Sequence, residues 1–144
     1  MFKNTAFGPT ITEKTPLDNG SVLLKLKQPL AAFPEKLTQK LIDWAEKEPD
    51  KLFLARRNST EGNWGGVTYA ETLQQVRGIA QYLLDLHFSE GETIVILSEN
   101  SIEHALLALA AVHIGIPYSP ISPPYSLVSN DFGKLKHCLE LMTP

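Results

Sequence analysis

Four consecutive polar residues, Ser98, Glu99, Asn100 and Ser101, follow a run of aliphatic and β-branched residues at positions 93–97. Open α/β sheets place their ligand crevices beyond the carboxyl ends of the strands, so Ser98 and Asn100 are candidates for the edge of a binding pocket. Asn and Ser are also the residue types that cap the first turn of a helix. Both interpretations account for the residue types, and neither predicts a catalytic group.

The other residues that could carry chemistry form no catalytic or metal-binding pattern. Glycines cluster in residues 61–66 (EGNWGG), but they lie between two predicted strands, so a turn is favoured over a phosphate-binding loop. The lone cysteine, Cys138, has no partner at zinc spacing, and the four histidines also lack metal-ligand spacing: His87, His104, His113 and His137. We therefore predict no catalytic residue, no cofactor-binding residue and no metal site.

The composition excludes several functional classes. The 144 residues include 13 Lys and Arg against 16 Asp and Glu, and the net charge of −3 offers no basic surface for nucleic acid or anionic membrane. A single cysteine excludes an intrachain disulfide. The most apolar stretch, residues 105–114, is shorter than the roughly 20 residues that span a bilayer, and the N-terminus lacks signal-peptide features. We predict a cytoplasmic protein without nucleic-acid or membrane partners.

Apolar periodicity predicts an α/β fold. Residues 1–20 show no apolar period and are predicted to form an irregular arm, followed by one domain over residues 21–144. Residues 52–56 and 64–68 are typical of two hairpin strands. A capping box of Thr68 and Glu71 then begins a helix whose apolar residues recur at three- and four-residue steps. These apolar residues are Leu73, Val76, Ile79, Ala80, Leu83 and Leu84.

A strand–helix–strand unit is predicted over residues 93–121. The run TIVIL at 93–97 is typical of a strand covered on both faces in a parallel sheet. A nearly all-apolar helix follows, with Asn100 and Glu103 as a second capping box and Gly115 at its end. Extended chain resumes at residues 118–121. The simplest topology for this unit is a right-handed βαβ crossover.

The last part of the sequence predicts an incomplete domain. The proline-rich residues 119–126 (SPISPPYS) indicate a rigid loop, and Ser129 is the predicted N-cap of a final helix. Its inner stripe consists of Phe132, Leu135, Leu139 and Met142. An alternating α/β pattern should continue with a strand, yet only two residues follow Met142. We therefore expect an uncovered sheet edge.

Two segments resemble the adenylate-forming acyl-CoA synthetase superfamily. Residues 67–73 (VTYAETL) resemble its first core motif, with Val67 and Thr72 where leucines are usual and with matches at Thr68, Tyr69 and Glu71. Residues 110–123 (AAVHIGIPYSPISP) resemble its second core motif, with matches at Gly115, Tyr118 and Pro120. The longer stretches 37–57 and 98–137 are similar to feruloyl-CoA synthases.

The resemblance implies the N-terminal part of an AMP-binding-type domain. Such ligases use ATP and Mg²⁺ to convert a carboxylate to acyl-AMP and then transfer the acyl group to CoA, and in this branch the acid is ferulate or a related hydroxycinnamate. The family's phosphate loop, Thr-Glu motif and catalytic Lys have no counterpart in these 144 residues. The resemblance thus implies structural roles for the matched motif residues. It also implies a fragment that is inactive alone, holds no cofactor and requires the remainder of the ligase as its partner.

Two other hypotheses remain open at this point. The chain could be a naturally truncated, non-catalytic binding or assembly module that associates with itself through the uncovered sheet edge. A small standalone α/β enzyme would require a nucleotide or metal site, and the sequence shows neither.

Overall fold

The computed structural model describes residues 11–57, 62–89 and 91–144, which belong to two compact units, residues 1–34 and 35–144. The boundary lies after Pro34, whereas the sequence analysis placed it after residue 20. The first unit contains β1 (Thr12–Pro16) and β2 (Val22–Leu26). The second contains α1 (Gln39–Lys47), β3 (Leu52–Arg57), β4 (Trp64–Thr68), α2 (Tyr69–Asp85), β5 (Ile94–Ile96), α3 (Ile102–Ile114), β6 (Tyr118–Pro120), α4 (Pro123–Leu127) and α5 (Gly133–Met142).

The first unit corrects the prediction of an irregular arm. β1 lies within residues 1–20 and pairs antiparallel with β2, so that Thr12 faces Leu26 and Pro16 faces Val22. The turn between them places Gly20 at φ 80°, and the Asn19 side chain accepts a hydrogen bond from the Ser21 backbone N–H at 3.0 Å. The apolar pattern did not indicate β1 because its residues, TEKTP, are mostly polar; the turn chemistry and the pairing with β2 define the strand.

The second unit is built on a helical core. α2 packs against both α1 and α3, and the predicted stripe of α2 supplies four of the eight side chains in the buried cluster. One predicted stripe residue, Leu84, is instead 52% exposed. The buried cluster consists of Leu41, Ala45, Leu73, Val76, Ala80, Leu83, Leu106 and Ala110. Burial of these faces is the main source of stability for helices of this length.

The helix ends follow the predicted capping chemistry in two of four places, and Ser129, the fourth, is described below with α5. Thr68 and Glu71 form the reciprocal capping box: the Glu71 N–H donates to the Thr68 hydroxyl at 3.2 Å, and the Thr68 N–H donates to the Glu71 carboxylate at 2.8 Å. Gly115 ends α3 in the left-handed region, with φ 82°. The second capping box was wrong: the N-cap of α3 is Ser101, whose hydroxyl accepts from the His104 N–H at 3.1 Å.

The βαβ unit is confirmed. β5 and β6 are parallel and joined by α3, with Ile94 opposite Tyr118 and Ile96 opposite Pro120. The expectation that β5 is covered on both faces is met in part: Ile96 is buried and Ile94 and Val95 are half-buried, whereas Leu97, just after the strand, is exposed. Among the described residues β6 is the sole strand paired with β5.

β3 and β4 form the predicted antiparallel hairpin. Gly65 and Gly66 lie within β4 rather than in its turn, and residues 58–61 of the predicted turn lie outside the described residues. A Cβ on Gly66 would overlap the Leu54 carbonyl oxygen of the opposite strand. A close approach of two backbones therefore explains this glycine better than a phosphate loop does.

The C-terminal residues differ from the sequence analysis in two ways. The loop predicted over residues 119–126 contains the end of β6 and the short helix α4. α4 can start at Pro123 because N–H groups in the first turn make no hydrogen bond within the helix, so the N–H that proline lacks is not required there. Ser129 does not cap α5, whose N-cap is Phe132. The Ser129 hydroxyl instead accepts a hydrogen bond from the Phe132 N–H at 3.2 Å, in the turn that precedes α5. Of the predicted inner stripe, Leu135, Leu139 and Met142 are half-buried and Phe132 is exposed, so no residue of α5 is fully buried.

Candidate functional site

Clefts lie at the two ends of the parallel strand pair. The cleft at the amino ends has a volume of about 410 Å³, and its walls include Glu92 before β5 and Pro117 before β6. The cleft at the carboxyl end of β5 is smaller, about 190 Å³, and is lined by β3 and the start of α3. Open α/β sheets bind their ligands outside the carboxyl ends of the strands. A second groove lies beyond β6, but its lining is mostly apolar, whereas the cleft beyond β5 is lined by Arg56 and Asn100, so the cleft beyond β5 is the candidate site.

Two elements distant in sequence form this carboxyl-end cleft. β3 contributes Leu54, Ala55 and Arg56, and the first turn of α3 with its preceding loop contributes Asn100, Ser101, Ile102 and Ala105. Of the two predicted pocket-edge residues, Asn100 lines the cleft and Ser98 lies outside it. Their assignment to a functional pocket stays a prediction. Arg56 was not among the predicted site residues, because nothing in its local sequence distinguishes it from any exposed strand residue.

His104 holds the loop that carries Asn100. Its Nδ1 lies 3.0 Å from the Ser98 hydroxyl, and its backbone N–H donates to the Ser101 hydroxyl at 3.1 Å. The Ser98 hydroxyl also donates to the Glu99 carbonyl at 3.1 Å. One residue of α3 thus contacts both sides of the loop, which accounts for Ser98 as a structural residue and fixes Asn100 between two anchored positions.

The charges at the carboxyl-end cleft are of opposite sign. Arg56 is exposed on β3, and Glu103 lies in the first turn of α3. The pKa of the Glu103 carboxyl is held below its ordinary value by a hydrogen bond from the Glu103 backbone N–H, by a second from the Ser101 hydroxyl and by the nearby Arg56 guanidinium. Desolvation of the carboxyl opposes this shift. An ionised acid therefore already lies at the positive end of this helix, where it is stabilised by the helix dipole.

The remaining predicted candidates lie apart from the carboxyl-end cleft. His87 and His113 belong to other parts of the unit, where their rings bond the Asp85 carbonyl and the Thr38 hydroxyl respectively. Cys138 is half-buried at an apolar groove with Ile121 and Met142. Within residues 11–57, 62–89 and 91–144, no group of three or more His, Cys, Asp or Glu could hold a metal ion. The cleft offers hydrogen-bonding and cationic groups, which suit binding rather than proton transfer.

The motif residues hold the scaffold together. Tyr69, the first residue of α2, stacks between Trp44 of α1 and Phe53 of β3, with ring centroids 6.0 Å and 4.5 Å away. Thr68 and Glu71 cap the same helix, Gly115 ends α3, and Pro120 ends β6. The motif tyrosine thus joins three elements through aromatic contacts, a role that local sequence patterns did not reveal.

A comparison with protein-family models gives a match over most of the second unit. The sequence model of the AMP-binding enzyme family matches residues 41–140, a range that includes α2, the βαβ unit and the carboxyl-end cleft. The chain belongs to the AMP-binding enzyme family. The resemblance at superfamily level is therefore confirmed. No curated protein sequence matches the chain.

Solved structures agree with this family assignment at the level of the fold. A fatty acyl-adenylate ligase from L. pneumophila, in complex with acyl adenylate and pyrophosphate, superposes with a TM-score of 0.64 and 20% identity over 76% of this chain and 19% of that one. CmiS6 gives a TM-score of 0.65 and 21% identity over 81% of this chain and 27% of that one. ATP-bound MatB from Rhodopseudomonas palustris gives 0.57 and 26% identity over 76% and 20%.

The chain spans only a part of these three proteins, between 19% and 27% of their length. It is an α/β chain that matches one portion of an adenylate-forming fold. None of the helices in the described part of the chain has the length and apolar character that a membrane crossing requires.

Proposed function

We propose that this chain is the N-terminal part of a cytoplasmic ATP-dependent carboxylate–CoA ligase that activates ferulate or a related hydroxycinnamate as acyl-AMP and passes the acyl group to CoA. The family match over residues 41–140 is the observation that carries the proposal. The ATP bound to MatB and the acyl adenylate in the L. pneumophila ligase support ATP-dependent acyl activation. The similarity of residues 98–137 to feruloyl-CoA synthases supports the choice of acid.

Within this proposal the chain provides scaffold and contributes no catalytic group. A nucleoside triphosphate with Mg²⁺ does not fit the carboxyl-end cleft, whose volume of about 190 Å³ is below the ~300 Å³ of ordinary ligand pockets. Arg56 is its one cationic side chain, since no Lys and no second Arg of the described residues lines the cleft. The groups that hold ATP, Mg²⁺ and CoA would therefore come from the remainder of the ligase, and no reaction step is assigned to residues described here.

The gene product in its source cells tests the proposal. An antibody against residues 37–57 would capture it for measurement of intact mass and of carboxylate-dependent ATP–pyrophosphate exchange. We expect a mass several times 16.0 kDa and exchange that is faster with ferulate and p-coumarate than with a fatty acid or an amino acid. Preference for a fatty acid would overturn the hydroxycinnamate assignment, and a mass of 16.0 kDa would overturn the ligase proposal.

The isolated chain provides a second test. The 144-residue polypeptide with ferulate, ATP and Mg²⁺ should give no pyrophosphate exchange above a blank without enzyme, because its cleft does not hold a triphosphate. Turnover above that blank would contradict the scaffold role.

An assembly module is the second candidate function, and the edge of β5 favours it. Ile94 and Ile96 bond towards β6: the Ile94 N–H donates to Pro117, and the Ile96 carbonyl accepts from Ile121. Strand alternation directs the backbone N–H and C=O of Val95 to the opposite edge, which is open in the described residues. Such an edge can pair with a second copy of the chain. Sedimentation of the isolated chain at micromolar concentration should then show a dimer, and a species of only 16.0 kDa would exclude it.

A further inference from the structure

A part-buried hydrogen bond connects the start of α1 to the end of α3. The Thr38 hydroxyl lies 2.8 Å from Nδ1 of His113, although the two residues are 75 positions apart. Thr38 precedes α1 as its N-cap residue and is 2% exposed, yet its side chain makes no capping bond to the helix. Its hydroxyl is therefore committed to α3 rather than to its own helix.

The surroundings of His113 favour the neutral ring. His113 is in the last turn of α3 and half-buried. The charged groups that act on it are Lys36, just before α1, and Arg77 on α2, and both are cations. Burial first, and then these two cations, lower the pKa of His113 from the ordinary value of 6.5. A neutral ring with an unprotonated Nδ1 can accept a hydrogen bond from the Thr38 hydroxyl.

We propose that Thr38 and His113 form a pH-sensitive latch that fastens α1 to α3 at neutral pH and loosens it on mild acidification. A proton on Nδ1 turns the acceptor into a donor. The Thr38 hydroxyl must then accept that bond, and its own proton loses its acceptor inside the protein. Repulsion from Lys36 and Arg77 also opposes the new imidazolium.

The direction of the pH effect follows from the lowered pKa. The unfolded or locally opened state binds a proton at His113 more readily than the closed state does, so acidification favours opening. The closed state keeps its full stability above about pH 6.5 and loses it as the pH falls through that value towards the lower pKa of the closed state.

Amide hydrogen exchange of the full chain between about pH 8 and pH 5 tests the latch, after correction for the intrinsic pH dependence of exchange. We expect the opening constant of the α1 amides to rise at least about threefold on acidification in the native chain. The variant His113→Gln keeps an acceptor for Thr38 but does not titrate, so its opening constant should not change. His104→Gln is the matched control, because His104 also contacts a serine hydroxyl through Nδ1 on the same helix.

An equal rise in His113→Gln, or a loss of the rise in His104→Gln, would overturn the proposal. Thr38→Val and Thr38→Ser provide an independent check should His113→Gln fail to fold. Thr38→Val should open α1 at neutral pH to the level of the acidified native chain, and Thr38→Ser should restore the native pH profile. If α1 in Thr38→Val remained as protected as in the native chain at neutral pH, the latch would be refuted.

Discussion

Thr72 provides the sharpest test of the helical core. It is fully buried near the start of α2, which begins at Tyr69, and its hydroxyl has no hydrogen-bond partner among the described residues. A buried hydroxyl without a partner destabilises the folded state by about 1–3 kcal/mol. Valine has nearly the same shape and a similar helix propensity, so Thr72→Val removes that cost without changing the packing. We expect the free energy of unfolding to rise by about 1–2 kcal/mol.

Val76 offers the reciprocal substitution one turn further along the same helix. It is fully buried like Thr72, so Val76→Thr introduces the same unsatisfied hydroxyl into the same face. We expect its free energy of unfolding to fall by about 1–3 kcal/mol. Urea titration followed by far-UV circular dichroism measures both variants. In a Trp64→Phe background, tryptophan fluorescence comes from Trp44 alone, which stacks on Tyr69 at the start of α2, and it reports the α1–α2 contact separately.

The two variants must move in opposite directions for the reasoning to hold. In thermal unfolding, Thr72→Val should raise Tm by about 4 °C for each kcal/mol, since the second unit has about the size for which this conversion applies. A Thr72→Val variant that is less stable than the native chain would show that the hydroxyl has a partner, such as a carbonyl of the preceding helical turn. That result would refute the assignment of an unsatisfied group, whatever the outcome for Val76→Thr.

Three further substitutions, two of them paired with a control at another glycine, test the capping residues and the glycines by urea titration. Thr68→Ala removes the hydroxyl half of the capping box and should lower the stability by about 1 kcal/mol, and an unchanged midpoint would show that the box is dispensable. Gly66→Ala places a Cβ against the Leu54 carbonyl oxygen and should cost more than about 2 kcal/mol, while Gly65→Ala, where a Cβ meets open space, should cost far less. Gly115→Ala forces alanine to φ 82° and should cost about 1–2 kcal/mol, whereas Gly78→Ala in the interior of α2 should gain about 0.5–1 kcal/mol.

The elements with strong local signals were predictable from the sequence. α2 has a capping box at its start and a period of three and four residues in its apolar face, and both features survive in the structure. α3 was predicted from its apolar run and from the glycine that ends it. These signals are properties of short segments, so no knowledge of the rest of the fold is needed to interpret them.

The elements that were missed depend on contacts or on positional rules. β1 has few apolar residues, and it becomes a strand because it pairs with β2 across a turn containing Asn19 and Gly20. α4 was hidden by its prolines, which are strong breakers inside a helix but acceptable in its first turn. The N-cap of α3 was displaced by one residue because Asn and Ser are nearly equal in capping strength. Local composition does not separate such neighbours.

The candidate site shows the same division between local and long-range information. Asn100 could be placed at the carboxyl end of a strand because the βαβ pattern fixes which residues follow β5. Arg56 could not be placed in this way, because it belongs to a hairpin whose position depends on packing. Leu54 on the same strand and Ile102 of α3 both lie against the common core. Alternation along β3 allows Leu54 to pack inward, and the packing of that hairpin against α3 brings Arg56 to Asn100.

The same argument applies to Thr38 and His113, whose contact depends on how α1 and α3 are arranged around α2. Sequence patterns therefore identify which residues lie at the ends of elements, and the packing of the core determines which of them meet.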